Sequence, residues 1–307
     1  MNYEKTYSLK LLAIFLFISF ISQAQVSTIF NGVKFDESLL DIQKKISMIS
    51  NDVRLIKIAT PSFPLSKNKE EHLIASMVKL KNGIIDKVVF TFADDKLCYI
   101  QAKGNVIKGL NSNRKGEVKT YLDYQVYTSD LLFINIKKDV AWLLTPESVH
   151  PNLFTWDNPY LSTNNSTEIK YNPSVKIPSF IKMGGNIDVL MPLLKNNSTF
   201  IEVQKLEETD SITKTQINCF GIEYAGFPRK FEARFENSKL NMVWILTGKG
   251  EENRIREKLT EEYGSAVFIN DSWEVFNNWT VLLRKDKPEI LLLTKELGLM
   301  YKKQYSK

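Results

Sequence analysis

Apolar and polar residues alternate along much of the chain with a period of two. From Phe231 to Phe235 the apolar set Phe231, Ala233 and Phe235 alternates with Glu232 and Arg234, which puts one face of a sheet in a core and leaves the other wet. Trp279 to Leu283 is a more continuous apolar run, as expected for a central strand. A helical period runs through Glu251 to Tyr263, where Ile255, Leu259 and Tyr263 share a face and Gly264 supplies the terminator. Two shorter amphipathic helices are predicted upstream. The first is capped by Asp36 and carries Leu39, Leu40, Ile42 and Ile46 on one face; the second is capped by Asn186 and carries Val189, Leu190, Leu193 and Leu194. A weaker helix is expected around Glu117 to Tyr124.

The pattern occurs twice. Lys87-Val88-Val89-Phe90-Thr91-Phe92-Ala93-Asp94-Asp95-Lys96-Leu97 matches Lys230-Phe231-Glu232-Ala233-Arg234-Phe235-Glu236-Asn237-Ser238-Lys239-Leu240 in its skeleton: Lys, a strand ending in Phe, a polar turn, then Lys-Leu opening another strand. Each copy follows a turn, at Lys81-Asn82-Gly83 and at Ala225-Gly226-Phe227-Pro228, and each is followed by a helical segment and a hairpin. The expected fold class is therefore α+β, with two tandem, similar units, each an antiparallel β-sheet packed with two helices. The first unit is placed at residues 25–158 and the second at 181–307. The polar, proline-bearing stretch 159–180 between them reads as a linker.

The amino end changes the picture. Lys5 and Lys10 precede the run Leu11 to Ile21, which only Ser19 interrupts, and Ser22-Gln23-Ala24 offers small residues on either side of a larger one. A basic start, a short apolar segment and such a site make residues 1–24 a secretory signal peptide, with the mature chain starting at Gln25. The apolar run is about a dozen residues, short of the ~20 that span a bilayer. The expected location is periplasmic or extracellular, with no transmembrane segment after signal cleavage.

The formal net charge is +6. Its cations are interleaved with acids, as in Lys67-Asn68-Lys69-Glu70-Glu71 and Glu251-Glu252-Asn253-Arg254-Ile255-Arg256-Glu257-Lys258. That pattern is a solvated helix face and argues against nucleic acid as a partner. Cys98 and Cys219 each fall in an apparent strand. An exported chain permits a disulfide, but two buried thiols are the better expectation, because spacing alone does not meet disulfide geometry.

Candidate chemistry is sparse. His72 and His150 are the only imidazoles, and neither belongs to a spaced ligand set, so both read as surface or edge residues and no metal or cofactor is expected. Asp94-Asp95 sits where Asn237-Ser238 sits in the other copy, so turn geometry explains both pairs; Glu207-Glu208 is another adjacent pair of carboxylates. Gly248-Lys249-Gly250 precedes a helix but lacks the rest of a phosphate loop, which leaves a flexible helix entry. No residue is assigned a catalytic role. Phe154-Thr155-Trp156-Asp157-Asn158-Pro159-Tyr160 is the richest aromatic loop. Phe154, Trp156 and Tyr160 there are either packed or, as a possible interaction surface, presented to a partner.

Three functions fit these readings. The first is an exported, non-catalytic binding protein of the cell envelope whose partner is a protein or envelope component. The second is a secreted hydrolase with a site between the two units. The third is a carrier of a small apolar ligand. A polar cleft holding a histidine would favour the hydrolase, a dry cavity the carrier, and an aromatic face the binder.

Overall fold

The computed structural model describes residues 26, 29–111, 117–162, 167–206 and 214–305; the expected leader lies outside these. Two compact units account for the chain. The first comprises the described residues up to Pro61, Leu65–Val149 and Asp157–Ile169; the second comprises Ser62–Pro64, His150–Trp156 and Lys170 onward. No helix among the described residues is long and apolar enough to cross a membrane.

Each unit is built twice over from a helix and a four-stranded antiparallel meander. In the first, α1 (Leu39–Ser47) precedes β1 (Asp52–Ile58), β2 (Glu70–Leu80), β3 (Gly83–Ala93) and β4 (Lys96–Lys103). Then α2 (Val106–Asn111) precedes β5 (Val118–Tyr121), β6 (Tyr124–Tyr127), β7 (Leu132–Asn135) and β8 (Val140–Leu144). The strands form one eight-stranded sheet in the order β1-β2-β3-β4-β8-β7-β6-β5, closed in the middle by the antiparallel pair β4–β8.

The second unit repeats the scheme. There α3 (Ile187–Asn196) leads into β9 (Phe200–Lys205), β10 (Thr215–Tyr224), β11 (Phe227–Glu236) and β12 (Lys239–Leu246). Next α4 (Glu252–Tyr263) leads into β13 (Phe268–Ile269), β14 (Trp273–Phe276), β15 (Val281–Arg284) and β16 (Glu289–Leu293). Its sheet order, β9-β10-β11-β12-β16-β15-β14-β13, is the same with every strand replaced by its counterpart. Helix α5 (Lys295–Tyr305) ends the described chain.

Turn chemistry holds the copies in matching register. Asp94 and Asp95 have φ of 49° and 67°, Asn237 and Ser238 47° and 63°. Two successive residues at positive φ make the hairpin turn that suits strand twist, and Asn and Asp tolerate it. Ala225 and Gly226 do the same between β10 and β11. Just past each turn the pairing slips by one residue, between Thr91 and Phe92 and between Arg234 and Phe235. The two halves thus share this bulge, while a second slip, between Phe220 and Ile222 of β10, belongs to the second unit's ladder alone.

One face of each sheet is covered by its helices. In the first unit Ile42 and Ile46 of α1 and Val106 and Leu110 of α2 pack on Leu73, Phe90, Ile100 and Leu143. In the second, Leu190, Leu194, Ile255 and Leu259 pack on Ile217, Phe231, Ile245 and Leu292. Each fully buried Leu or Ile contributes about 2 kcal/mol of burial free energy.

Several expectations need correcting. Ser38, not Asp36, caps α1: its hydroxyl accepts from Asp41 N, and Asp36 sits two residues earlier at φ 66°. Leu40 and Val189 point to solvent, because the helices bury narrower stripes than the sequence spacing allowed. The segment 117–124 is not a helix. Val118–Tyr121 and Tyr124–Tyr127 form a hairpin, with Leu122 at φ 52° in the turn. Its β-branched and aromatic residues prefer a pleated strand, and the helix of this half is α2, just upstream. Asn186 does cap α3, its side chain accepting from Asp188 N. Gly264, at φ 79°, ends α4.

Candidate functional site

The aromatic loop is packed. Phe154, Trp156 and Tyr160 are 5%, 7% and 2% exposed. Trp156 lies between Phe63 and Phe227 of the second unit, with ring centroids 5.6 and 4.9 Å away. Tyr160 stands over His72 of the first unit at 5.0 Å. Both cysteines are free thiols. Cys219 lies within the helix-side core, where burial pushes its thiol up to about 12. Glu207-Glu208 lies outside the described residues.

The glycine-flanked entry to α4 already holds an anion of its own. Glu251, fully buried, accepts from Gly248 N at 2.8 Å and forms a two-pronged ion pair with buried Arg229 at 2.6 and 2.8 Å. Arg229 also donates to the Tyr224 carbonyl. The Glu251 carboxylate takes the Gly248 N–H and the Arg229 guanidinium, so the entry is a structural lock. Asp94 is likewise structural. Burial opposes its ionisation, but the backbone N–H groups of Lys67, Asn68 and Lys69 prevail and hold the carboxyl below its ordinary range.

The far face of each sheet lies opposite α1–α2 or α3–α4. In the first unit it carries polar groups, the Glu70 carboxylate among them, buried beneath Asn158 and the short helical turn Pro159–Leu161. His72, expected at the surface or an edge, is 1% exposed on the inner strand β2. Its Nε2 faces Glu70 Oε1 at 2.9 Å and its Nδ1 faces Thr91 Oγ1 at 3.0 Å and Asn158 Nδ2 at 3.3 Å. A carboxylate partner fixes the proton on Nε2 and leaves Nδ1 to accept. Gln101 Oε1 accepts from Asn158 N at 2.7 Å and from the Tyr99 hydroxyl at 3.2 Å, while its amide donates to Asp157. This network is satisfied and closed.

Strand register identifies the corresponding positions in the second unit. Thr91 pairs with His72 as Arg234 pairs with Gln216; Val89 therefore corresponds to Glu232 and Gln101 to Trp244. Likewise Asn135 corresponds to Arg284 and Val140 to Glu289. Val89, Thr91, Asn135 and Val140 thus give way to charges, while Lys230 and Lys287 match Lys87 and Lys138 and are cations in both units. Around Glu232, Arg234, Trp244, Arg284 and Glu289 lies a cleft of about 420 Å³, lined by these side chains together with His150, Asn152, Lys230, Leu246 and Lys287.

Its charges are mutually pinned. Glu232 meets Lys230 Nζ at 2.9 Å and Arg234 Nη2 at 3.3 Å. Burial works against this carboxylate, but the two cations outweigh it and hold it below its ordinary range. Glu289 meets Arg284 at 3.1 Å and Lys287 at 2.9 Å. Arg234 and Arg284 each lie about 6 Å from the ring centre of Trp244, at 5.9 and 6.0 Å. The buried indole Nε1–H of Trp244 has no acceptor among the described residues. A buried donor left unpaired costs about 1–3 kcal/mol. His150 Nε2 lies 2.9 Å from the Pro288 carbonyl, which can only accept, so Nδ1 is the bare nitrogen. Burial lowers the His150 pKa, against the pull of the Pro288 carbonyl and Glu289.

Of the cleft's residues, His150 was weighed as chemistry in the sequence and read as a surface or edge residue; the charged ones did not stand out. Lys230, Glu232 and Arg234 carried the alternation of a wet strand, and Arg284 and Glu289 come from strands that only the sheet order brings alongside. The usable signal was the mismatch between copies, Val89 and Thr91 against Glu232 and Arg234. Among the described residues there is no group of three or more His, Cys, Asp or Glu that could hold a metal ion. No protein-family model, no curated protein and no solved structure matches the chain.

Proposed function

We propose that this is an exported binding protein of the cell envelope, and that it holds its partner at the far face of the second sheet. The observation that supports this reading is the charged cleft. It gathers Lys230, Arg234, Arg284 and Lys287 with Glu232 and Glu289 around Trp244, and its Trp and Arg side chains are the types that dominate binding energy at interfaces. Permanent charges already fixed by one another lose little freedom when a partner arrives. The lining includes no hydroxyl or thiol nucleophile, its imidazole is tethered to a carbonyl, and Glu232 is held ionised. Export rests on the leader motif.

The test is retention from envelope extract on immobilised mature chain, run beside the Lys287→Glu variant. Components held by the wild type and lost by the variant support the reading; identical retention by both sinks it. Export is checked by sequencing the amino end of the protein made in its native host: Gln25 is expected first, and an intact Met1 refutes cleavage.

A second reading, hydrolysis, draws on His150, whose Nε2 is 3.8 Å from Glu289 Oε1 within the cleft. It predicts turnover in a panel of ester, amide and glycoside substrates that disappears in His150→Ala.

A further inference from the structure

The two far faces keep one pair of lysines in common and differ in what answers it. Lys87 lies four residues before Thr91 as Lys230 lies four before Arg234, and Lys138 lies two before Val140 as Lys287 lies two before Glu289. In each unit the pair lines a cleft. In the second unit the chain supplies the anions itself: Lys230 Nζ meets Glu232 and Lys287 Nζ meets Glu289, each at 2.9 Å. In the first unit those two carboxylate positions are Val89 and Val140, and the arginine positions are Thr91 and Asn135. A third cation joins the lysines there, because Lys103 pairs with Val140 as Leu246 pairs with Glu289.

The first unit's cleft encloses about 280 Å³, with Leu161 as an apolar wall. Lys87 and Lys103 stand directly opposite each other on β3 and β4, and like charges so placed destabilise a sheet. Burial lowers the Lys87 pKa, and the Arg54 and Lys103 cations lower it further. The aspartates of the lining are engaged elsewhere. Asp139 accepts from the backbone N–H groups of Asn105 and Val106 at 2.6 and 3.0 Å, and Asp86 accepts from the Asn105 amide at 2.9 Å. Lys138 meets Asp157 at 3.2 Å, with both side chains half-exposed. An anion between Lys87 and Lys103 would offset both their mutual repulsion and the burial of Lys87. Ammonium groups act as point charges and suit a tetrahedral oxyanion; the planar fork that grips a carboxylate with two prongs is a guanidinium, and none lines this cleft. The volume is close to the lower end, about 300 Å³, of the range for small-molecule sites.

We propose that the cleft of the first unit binds a phosphate group, free or carried on a lipid headgroup, between Lys87 and Lys103. Lys138 flanks it from the turn between β7 and β8. The test is a calorimetric titration of the full mature chain with inorganic phosphate in chloride buffer. Saturable binding is expected, weakened about tenfold or more by Lys103→Glu, a change at an exposed position. Lys103→Arg, which keeps the charge, should retain it. Lys119→Glu, an exposed reversal on the edge strand β5, should change nothing. Phosphate should also raise the titration midpoint of the Lys87 ammonium, followed by NMR and assigned by its absence in Lys87→Gln. Glycerol phosphate and vesicles of phosphatidylcholine with phosphatidic acid separate the sources. Tighter binding of the soluble ester supports a free ligand; Lys103-dependent sedimentation with the vesicles supports a headgroup. Absence of phosphate binding overturns the proposal. So does equal weakening by Lys119→Glu, which marks unspecific attraction to a basic chain, and so does a Lys87 midpoint that phosphate leaves unmoved. Lys287→Glu, which the binding reading expects to lose its partner, should leave phosphate affinity intact, so the two readings fail separately.

Discussion

Thr91 and Arg234 occupy the same place in two copies of one sheet. The first is fully buried, hydrogen-bonded to His72 and Asn158. The second extends a guanidinium to Gln216 and Glu232 along a solvent-lined cleft. The helix-covered faces of both units remain apolar, and the turns and bulges between strands are kept. Divergence has concentrated on the far face, where a duplicated scaffold can change without disturbing its core. In the first copy Asn158 and Pro159–Leu161 cover part of that face; in the second α5, through Leu297, covers part of it, and the charged cleft occupies another part.

Exchanging residues between the copies tests this. Thr91→Arg, which places the second unit's charge in the first unit's closed face, is expected to cost about 4 kcal/mol or more, since the cation is buried without a partner. Arg234→Thr should cost only about 1 kcal/mol, as for a partly screened ion pair. Urea denaturation of both variants measures the asymmetry, and similar losses would abolish the distinction. Trp142→Leu, imitating Leu291, should remove about 3 kcal/mol because it empties a fully buried site; the urea midpoint reads that loss. His72→Gln, imitating Gln216, should lose about 1–2 kcal/mol with the bond to buried Glu70, and thermal unfolding is sensitive enough to see it.

The smallest effect is expected from Asp94→Asn, imitating Asn237, at about 1 kcal/mol near neutral pH after solvent screening. The folded state holds the Asp94 carboxyl below its ordinary value. Its stabilisation is therefore complete above the ordinary aspartate pKa and is lost as pH falls through the lowered folded one. Stability of wild type and variant, followed into acid, should converge there; a constant gap would show that the three backbone bonds do not depend on the charge.

Local signals in the sequence carried the fold a long way. The Lys-strand-Phe-turn-Lys-Leu skeleton exposed the duplication, and Asn186, Gly264 and the paired turn residues were readable because each satisfies a backbone requirement within a few residues. The helix expected at 117–124 was misread because a short hairpin with bulky residues at either end mimics a helical period over so few positions. The cleft was hidden for a different reason. Its members lie on β11, β12, β15 and β16 and in the segment holding His150 and Asn152, and they meet only through the central pairing of β12 with β16. Phe154, Trp156 and Tyr160 drew attention by composition alone, and composition does not separate a ring that packs from one that is presented.

The pairing of β4 with β8 also governs how the first unit forms. Every other neighbour in that sheet is the next strand along the chain, so each meander zips from its own turns with little loop-closure entropy. Among the strand ladders of that sheet, only Ala102 opposite Ala141 and the residues flanking them unite stretches some forty positions apart. Search for that one seam should limit the rate of refolding. Bulkier side chains at either alanine should therefore retard renaturation well beyond comparable changes placed within a hairpin.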